Sequence, residues 1–339
     1  MRTSAILKKI CISALAMLGL GVAQSCEKIF EFEGDCSSTW RVDFRYDMNM
    51  KYADAFAHEA NAVTVYAFDG NDVLVWQKTE HGDALASDDY AMVLDLDPGV
   101  YDIIAWSECD HAKECFALPA LEAGQATKQD LICEMKKQRD ENGKALSEKY
   151  LGSLMHGCIE DLEITDMEGT HTVAMQMVKN TNDVRVVLQH LSGEIVDPKL
   201  FTFSVTDSNG LMAHDNSLLP CEEICYRPWR QETVSTETGT RAVTEVGALI
   251  AELTLNRLMV ENSPRLNVFN DKGETVLSIP LINYALMIKG HYDNMDDQEY
   301  LDRQDEYTMT FFLDDDMRWM SSFIYINSWK VVLSDVDFQ

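Results

Sequence analysis

Trp40-Arg41-Val42-Asp43-Phe44-Arg45-Tyr46-Asp47 alternates strictly between apolar and charged residues. A period of two puts Trp40, Val42, Phe44 and Tyr46 on one face of a strand and the charges on the other, so one face is buried and one is wet. Residues 62–68 and 74–77 flank Asp69-Gly70-Asn71 and read as a hairpin. Residues 90–96 and 100–106 flank Asp97-Pro98-Gly99, with Pro then Gly in the order of a type II turn. Residues 131–135 read as a strand closing this half. A short helix is expected over 50–60, where Met50, Ala53, Phe56, Ala57 and Ala60 fall on one side. Many short strands with one helix among them predict a β-sandwich.

The second half repeats the style. Residues 172–178 and 184–190 alternate around Lys179-Asn180-Thr181-Asn182, and 201–206 run into the turn Asp207-Ser208-Asn209-Gly210. Residues 249–255 alternate, and 266–269 with 275–279 flank Asn270-Asp271-Lys272-Gly273 as a hairpin. Leu281, Tyr284, Ala285 and Ile288 keep helical spacing after Pro280, a good helix starter. The last strands are 307–312, 323–326 and 329–333. Residues 231–244, rich in Thr, Ser and Glu, are expected as a mobile loop. The polar stretch 136–149 is expected as an excursion or helix on the surface. The chain therefore reads as all-β, with one sandwich over 39–167 and a second over 168–339.

A different signal precedes the first strand. Arg2, Lys8 and Lys9 lead into the apolar run 10–23, and polarity returns at Glu27 and Lys28. A basic start, a short apolar core and small residues before a cut are the marks of a secretory signal peptide, here 1–25. The run falls short of the roughly 20 residues a spanning helix needs. Ser25 directly before Cys26 resembles a bacterial lipobox, which makes Cys26 the lipid attachment site. Several acyl chains on one residue, at about 0.8 kcal/mol per buried CH₂, hold a soluble domain on a membrane. Residues 26–38, with Glu31, Glu33 and Asp35, form an acidic tether.

The 339 residues carry a formal charge of −29. Such a surface repels phosphate backbones, which argues against nucleic acid as a partner. Beyond Cys11 and Cys26, seven of the nine cysteines remain: Cys36, Cys109, Cys115, Cys133, Cys158, Cys221 and Cys225. An exported chain can form disulfides, and an odd count leaves one thiol free. Cys109 with Cys115 is one candidate disulfide. The close pairs lack zinc-site spacing, so no metal is expected.

No GxSxG, Walker, GxGxxG or HExxH stretch is present, and the eight histidines are scattered. No catalytic residue and no cofactor are expected. Asp293, Asp296, Asp297 and Glu299 form one acidic cluster and Asp314-Asp315-Asp316 another. They lack the spacing of a calcium loop and read as solvated loops. Tyr300, Tyr307, Trp319, Tyr325 and Trp329 crowd the C-terminus. Core packing is the expectation for those in strand patterns, with a sugar platform as the alternative.

Several stretches together resemble one family. They are residues 44–56, residues 63–69, Leu96-Asp97-Pro98-Gly99-Val100-Tyr101-Asp102, Lys179-Asn180-Thr181-Asn182, Arg257-Leu258-Met259, and Ile324-Tyr325-Ile326-Asn327-Ser328-Trp329-Lys330-Val331-Val332. The family is that of the FimB-type fimbrial anchor lipoproteins, minor subunits of donor-strand fimbriae. The resemblance implies two tandem transthyretin-like Greek-key sandwiches and no catalysis. It implies an outer-membrane, surface lipoprotein that ties a fimbrillin shaft to the cell through the lipid on Cys26 and limits fimbrial length. An open sheet edge would bind the shaft by strand addition, with the strand 329–333 and the first strand of either half as candidates. A surface glycan-binding lipoprotein is the alternative, and an exposed aromatic strip on one sheet face is its mark. A secreted glycan hydrolase is a third reading, and it requires two suitably spaced carboxylates in a cleft.

Overall fold

The computed structural model describes residues 38–87, 89–238, 244–292 and 294–333. In chain order the first segments are β1 (Ser38–Arg45), α1 (Phe56–Glu59), β2 (Ala62–Asp69), β3 (Leu74–His81), β4 (Ala91–Leu94), β5 (Gly99–Glu108) and α2 (Asp110–Cys115). Four short strands follow: β6 (Phe116–Ala117), β7 (Cys133–Met135), β8 (Gln138–Arg139) and β9 (Ala145–Ser147). The long strands β10 (Leu154–Ile164), β11 (Gly169–Lys179) and β12 (Thr181–His190) carry the chain across the middle. Next come β13 (Phe201–Asp207), β14 (Leu211–Met212), β15 (Ile224–Tyr226), β16 (Arg230–Thr238) and β17 (Thr244–Asn256). The last elements are β18 (Arg265–Asn270), β19 (Thr275–Pro280), α3 (Leu281–Leu286), α4 (Asp297–Arg303), β20 (Glu306–Leu313), β21 (Phe323–Ile326) and β22 (Trp329–Val332).

The strands form a seven-stranded sheet ordered β3-β2-β5-β10-β11-β1-β4 and two six-stranded sheets, β16-β17-β12-β20-β21-β22 and β19-β18-β13-β15-β9-β8. A small sheet, β14-β7-β6, completes the set. Residues 40–165 and 172–333 form one unit, and residues 38–39 and 166–171 fall in another.

The seven-stranded sheet encloses its own core: Val42 and Phe44 of β1 and Met92 of β4 cluster with Val63, Val65, Ile103, Met155 and Met177. The expected alternation holds in β1, where Val42 and Phe44 are buried and Arg41 and Arg45 are exposed. Strands β2 and β5 are apolar on both faces. Their other face presents Tyr66, Phe68, Ile104 and Trp106 to a second core. That core fills the space between the two six-stranded sheets. Val184, Val186 and Leu188 of β12 and Tyr307, Met309 and Phe311 of β20 belong to it, with Phe203 of β13 and Val268 of β18. A strand covered on both faces loses the period-two signal, which is why β2 reads as a near-continuous apolar run.

Sheet membership does not follow the division at 167/168. Strand β11, from the second half, pairs with β10 of the first sheet. Strand β7 closes no first sandwich, because it pairs with β14 at Met212↔Cys133. The stretch expected as a surface excursion is built in: β9 runs parallel to β15, with Leu146 opposite Cys225. Alternation identifies a strand but not its neighbour.

Three local expectations change. The helix expected over 50–60 shrinks to α1. Tyr52 takes a φ of 52°, and the turn before α1 is tied by side chains. Asp54 Oδ1 accepts from Tyr46 N at 2.9 Å and Phe56 N at 3.0 Å, and Asn49 Nδ2 donates to Tyr46 O and Ala53 O at 2.8 Å each. Asx side chains that bind nearby backbone compete with helix. Second, Gly99 is not among the positive-φ residues, so Asp97-Pro98-Gly99 is not a type II turn. The glycine instead makes room for Tyr101, whose hydroxyl donates to Asp97 O at 3.0 Å and would lie 2.9 Å from a Cβ at Gly99. Third, residues 231–238 are not loop but strand β16, paired with β17 from Arg230↔Glu252 to Thr238↔Thr244. Its Thr and Val residues are β-branched and suit a strand, and its polarity suits a sheet edge. The hairpins at 69–71 and 270–273 and the helix after Pro280 form as expected.

Gly157 on β10 sits opposite Met177 of β11. A Cβ there would lie 2.6 Å from Met177 Sδ and 2.9 Å from Gln176 O. Gly157→Ala is expected to destabilise the fold by about 1–3 kcal/mol through overpacking. The measurement is a lowered urea midpoint at unchanged slope.

Candidate functional site

Strand β20 alternates cleanly. Tyr307, Met309, Phe311 and Leu313 are buried, while Thr308, Thr310 and Phe312 are only half-buried on the other face. Phe323 and Tyr325 of β21 continue that outer face, with ring centroids 5.1 Å and 5.9 Å from Phe312. In β22, Val332 lies opposite Phe323 and Lys330 opposite Tyr325. Lys330 and Val332 therefore share the outer face, and the Lys330 ammonium stands 4.4 Å from the Phe323 ring centre.

Strand β22 ends its sheet. Leu333 N donates to Ser322 O at 3.1 Å. In an antiparallel pair the direction of N–H groups alternates, so Val332 and Lys330 direct theirs away from β21. Val332 is 71% and Trp329 56% exposed. Among the described residues, this is an edge whose outward backbone donors face no neighbouring strand, beside an aromatic face. The other two expected edges are not edges: β1 lies between β11 and β4, and β11 between β10 and β1.

A buried polar seam holds this sheet against the rest. The chain passes from β11 to β12 through Asn180 alone, and Lys179, Asn180, Thr181 and Asn182 are all buried. Lys179 Nζ pairs with Asp305 Oδ2 at 2.8 Å and stands 3.7 Å from Glu59 Oε2. Burial favours the neutral amine, but Asp305 and Glu59 outweigh it and hold the Lys179 pKa above its ordinary value. The Tyr46 hydroxyl donates to the same Asp305 oxygen at 3.0 Å, and its pKa is raised by burial and then by Asp305. Asn180 and Asn216 exchange amide hydrogen bonds at 2.6 Å and 3.0 Å. Arg257 donates to Asn216 O at 2.6 Å and forks onto Asp302 at 2.8 Å and 2.7 Å. Of the residues quoted above for the family resemblance, Tyr46 and Lys179 thus meet at Asp305, and Asn180 and Arg257 meet at Asn216. Their partners Glu59, Asp302 and Asp305 gave no sequence signal.

The remaining expected residues fall as follows. Cys26, the leader 1–25, nearly all of the tether and Cys36 lie outside the described residues. Cys109 and Cys115 are free thiols, so the candidate disulfide is not made. They flank the start and end of α2, and each sulfur has its own backbone partner. Cys109 Sγ accepts from Ser153 N at 3.1 Å, and Cys115 Sγ donates to Tyr150 O at 3.6 Å. The acidic clusters serve local structure. Asp296 caps α4 by accepting from Glu299 N at 2.7 Å, and Asp314 Oδ1 accepts from Asp316 N and Arg318 N. Tyr300 and Tyr307 are core residues, whereas Tyr325 and Trp329 are not. Among the described residues no three His, Cys, Asp or Glu side chains are grouped to hold a metal. No helix among them is long and apolar enough to cross a membrane.

Comparison with known proteins adds the family. The model of the fimbrillin-A associated anchor proteins Mfa1 and Mfa2 matches residues 32–335. The minor fimbrium anchoring subunit Mfa2 of Porphyromonas gingivalis is 24% identical over 228 residues, 65% of this chain and 66% of that protein, so the match spans just under two thirds of the relative. A candidate adhesin of Bacteroides thetaiotaomicron is 36% identical with a TM-score of 0.78, covering 88% of this chain and 99% of that one. The solved Mfa2 of Porphyromonas gingivalis shares the fold at a TM-score of 0.65 and 18% identity, covering 88% of this chain and 99% of its own.

One buried histidine titrates in an accessible range. His156 is buried, its ring 4.7 Å from Trp106, and its Nε2 donates to His214 O at 2.8 Å. Burial pushes its pKa down from 6.5 to about 4, against the backbone hydrogen bond. Its folded pKa lies below the unfolded one, so the unfolded chain binds more protons in between. The stability it supports is present above about pH 6.5 and is lost as pH falls through about 4. His156→Gln is expected to flatten that part of the pH-stability curve by about 3 kcal/mol, measured by urea melts between pH 7 and 4.

Proposed function

The chain belongs to the family of fimbrillin-A associated anchor proteins, and from that membership we propose that it is the lipid-held subunit at the base of a fimbrium. The lipid sits on Cys26 and places the protein on the outer membrane, facing the cell surface. The partner is a fimbrillin shaft subunit, and fixing the shaft to the cell limits its length. The presence of two hydrophobic cores supports the reading of two transthyretin-like sandwiches that the resemblance implies.

The observation that carries the reading is the free edge of β22. An incoming strand from the shaft would pair with the outward N–H groups of Lys330 and Val332. Its side chains would lie beside Lys330 and Val332, extending the face of Phe323 and Tyr325, giving affinity through the backbone and selectivity through alternate side chains. The binding is assembly rather than chemistry, and no catalytic step is assigned.

Two substitutions separate the parts of this reading. Cys26→Ala in the native host is expected to shed fimbriae, some overlong, into the medium, counted by electron microscopy. Cell-bound fimbriae in unchanged number would remove the lipid anchor. Val332→Pro deletes an outward N–H while sparing the ladder to β21, since proline is tolerated at sheet edges. The protein should stay folded and lipidated, and its co-purification with fimbrillin should fall by at least about tenfold, the scale of one or two lost backbone hydrogen bonds. Undiminished co-purification would exclude β22 as the joint.

A further inference from the structure

The outer face of the β16-β17-β12-β20 sheet carries a cleft of about 440 Å³ that the anchoring reading does not use. One wall is aromatic. Tyr150 and Trp229 are each 38% exposed, and their rings stand 5.3 Å apart, tilted by 58°. Both are fixed by the backbone: Trp229 N donates to Glu252 O at 3.0 Å, and Tyr150 O accepts from Cys115 Sγ. The floor is polar and ordered. Arg185 Nε and Nη2 both donate to Glu252 Oε1, at 3.0 Å and 2.6 Å, which sets the guanidinium plane. Asp183 Oδ1 accepts from Thr254 Oγ1 at 2.9 Å. Arg230 and Glu306 complete the charged lining.

We infer that this cleft binds a neutral carbohydrate. Three properties select that class. First, the cleft lies on a sheet face, where backbone groups are already paired along the ladders. A ligand there is read by side chains, so an extended peptide finds no backbone partners, unlike at β22. Second, two amphipathic rings held at an angle present apolar surface to the C–H face of a sugar ring, and ordered carboxylates and guanidinium groups offer planar hydrogen-bonding pairs to neighbouring hydroxyls. Third, the lining holds the carboxylates of Asp183, Glu252 and Glu306 against the guanidinium groups of Arg185 and Arg230. That balance, on a chain of net charge −29, disfavours sialylated or uronic glycans and nucleic acid. The cleft volume falls within the range of ordinary small-ligand sites.

The site uses no residue of β22, so its test is independent of strand addition there. The full-length protein in a zwitterionic detergent is titrated by calorimetry with neutral hexasaccharides of glucose, mannose, galactose and xylose, each in turn, and with a sialylated hexasaccharide. The expected result is saturable binding of at least one neutral glycan and no tighter binding of the sialylated one. Trp229→Ala and Tyr150→Ala should each weaken it by about tenfold, the scale of one lost aromatic contact. Trp229→Tyr should retain most of it, and Phe323→Ala, on the β21 face, should leave it unchanged. Arg185→Leu gives a second loss-of-binding variant if an aromatic variant fails to fold, which circular dichroism reports. The inference is overturned if no neutral glycan binds at roughly 10 mM, a bound of about −2.7 kcal/mol. It is equally overturned if the sialylated probe binds more tightly, or if Trp229→Ala and Tyr150→Ala both bind as well as the unaltered protein.

Discussion

A buried ammonium ties the molecule together. Lys179 stands where the chain leaves the seven-stranded sheet, and its charge is met by Asp305 at the start of β20 and by Glu59 from α1. Three distant parts of the sequence are thereby fixed around one cation, with Tyr46 as a fourth. A buried pair of this kind contributes little net energy against a well-packed apolar equivalent. Losing one partner, however, leaves an uncompensated buried charge at about 3–5 kcal/mol. The pair therefore acts on specificity: it defines which approach of the two cores is tolerated. Asn180 with Asn216 and Arg257 with Asp302 repeat that logic along the seam. Asn180, Arg257 and Asp302 find these partners only when the β11–β12 connection, the end of β17, the connection after β14 and α4 are in register.

This constraint bears on the edge of the sheet that begins there. Strand β20 runs parallel to β12 from Asp183↔Glu306 onward, so the seam sets the position of β20. Strand β21 pairs with β20, and β22 with β21. The sheet thus has a buried polar seam at one end and an open strand at the other. The open edge carries Lys330, whose charge discourages indiscriminate pairing, as lysine does on other sheet edges.

The acidity of the chain has consequences besides solubility. Much of it is absorbed locally, as the caps and turns made by Asp54, Asp69, Asp296 and Asp314 show. Aspartate reaches nearby backbone N–H groups with a short side chain, so a residue that looks merely solvated in sequence sets a turn in the fold. Part of the same charge is met by cations. Among the described basic residues, Lys128 bridges Asp72 and Asp102, and Arg139 forks onto Glu222.

The sequence by itself determined many of the alternating strands, the hairpins at Asp69-Gly70-Asn71 and Asn270-Asp271-Lys272-Gly273, the helix after Pro280 and the all-β class. Those features follow from side-chain alternation and turn chemistry, which are local. It also carried the family through short stretches such as Lys179-Asn180-Thr181-Asn182, without revealing that those residues lie buried in a seam. The tertiary structure alone decided that β11 joins the first sheet, that β8 and β9 join a later one, and that β16 is a strand. It alone decided that β22 and not β1 is an open edge, and that Tyr150 and Trp229 meet beside Arg185. Pairing partners lie tens to hundreds of residues apart, and periodicity records which face of a strand is buried but not what buries it.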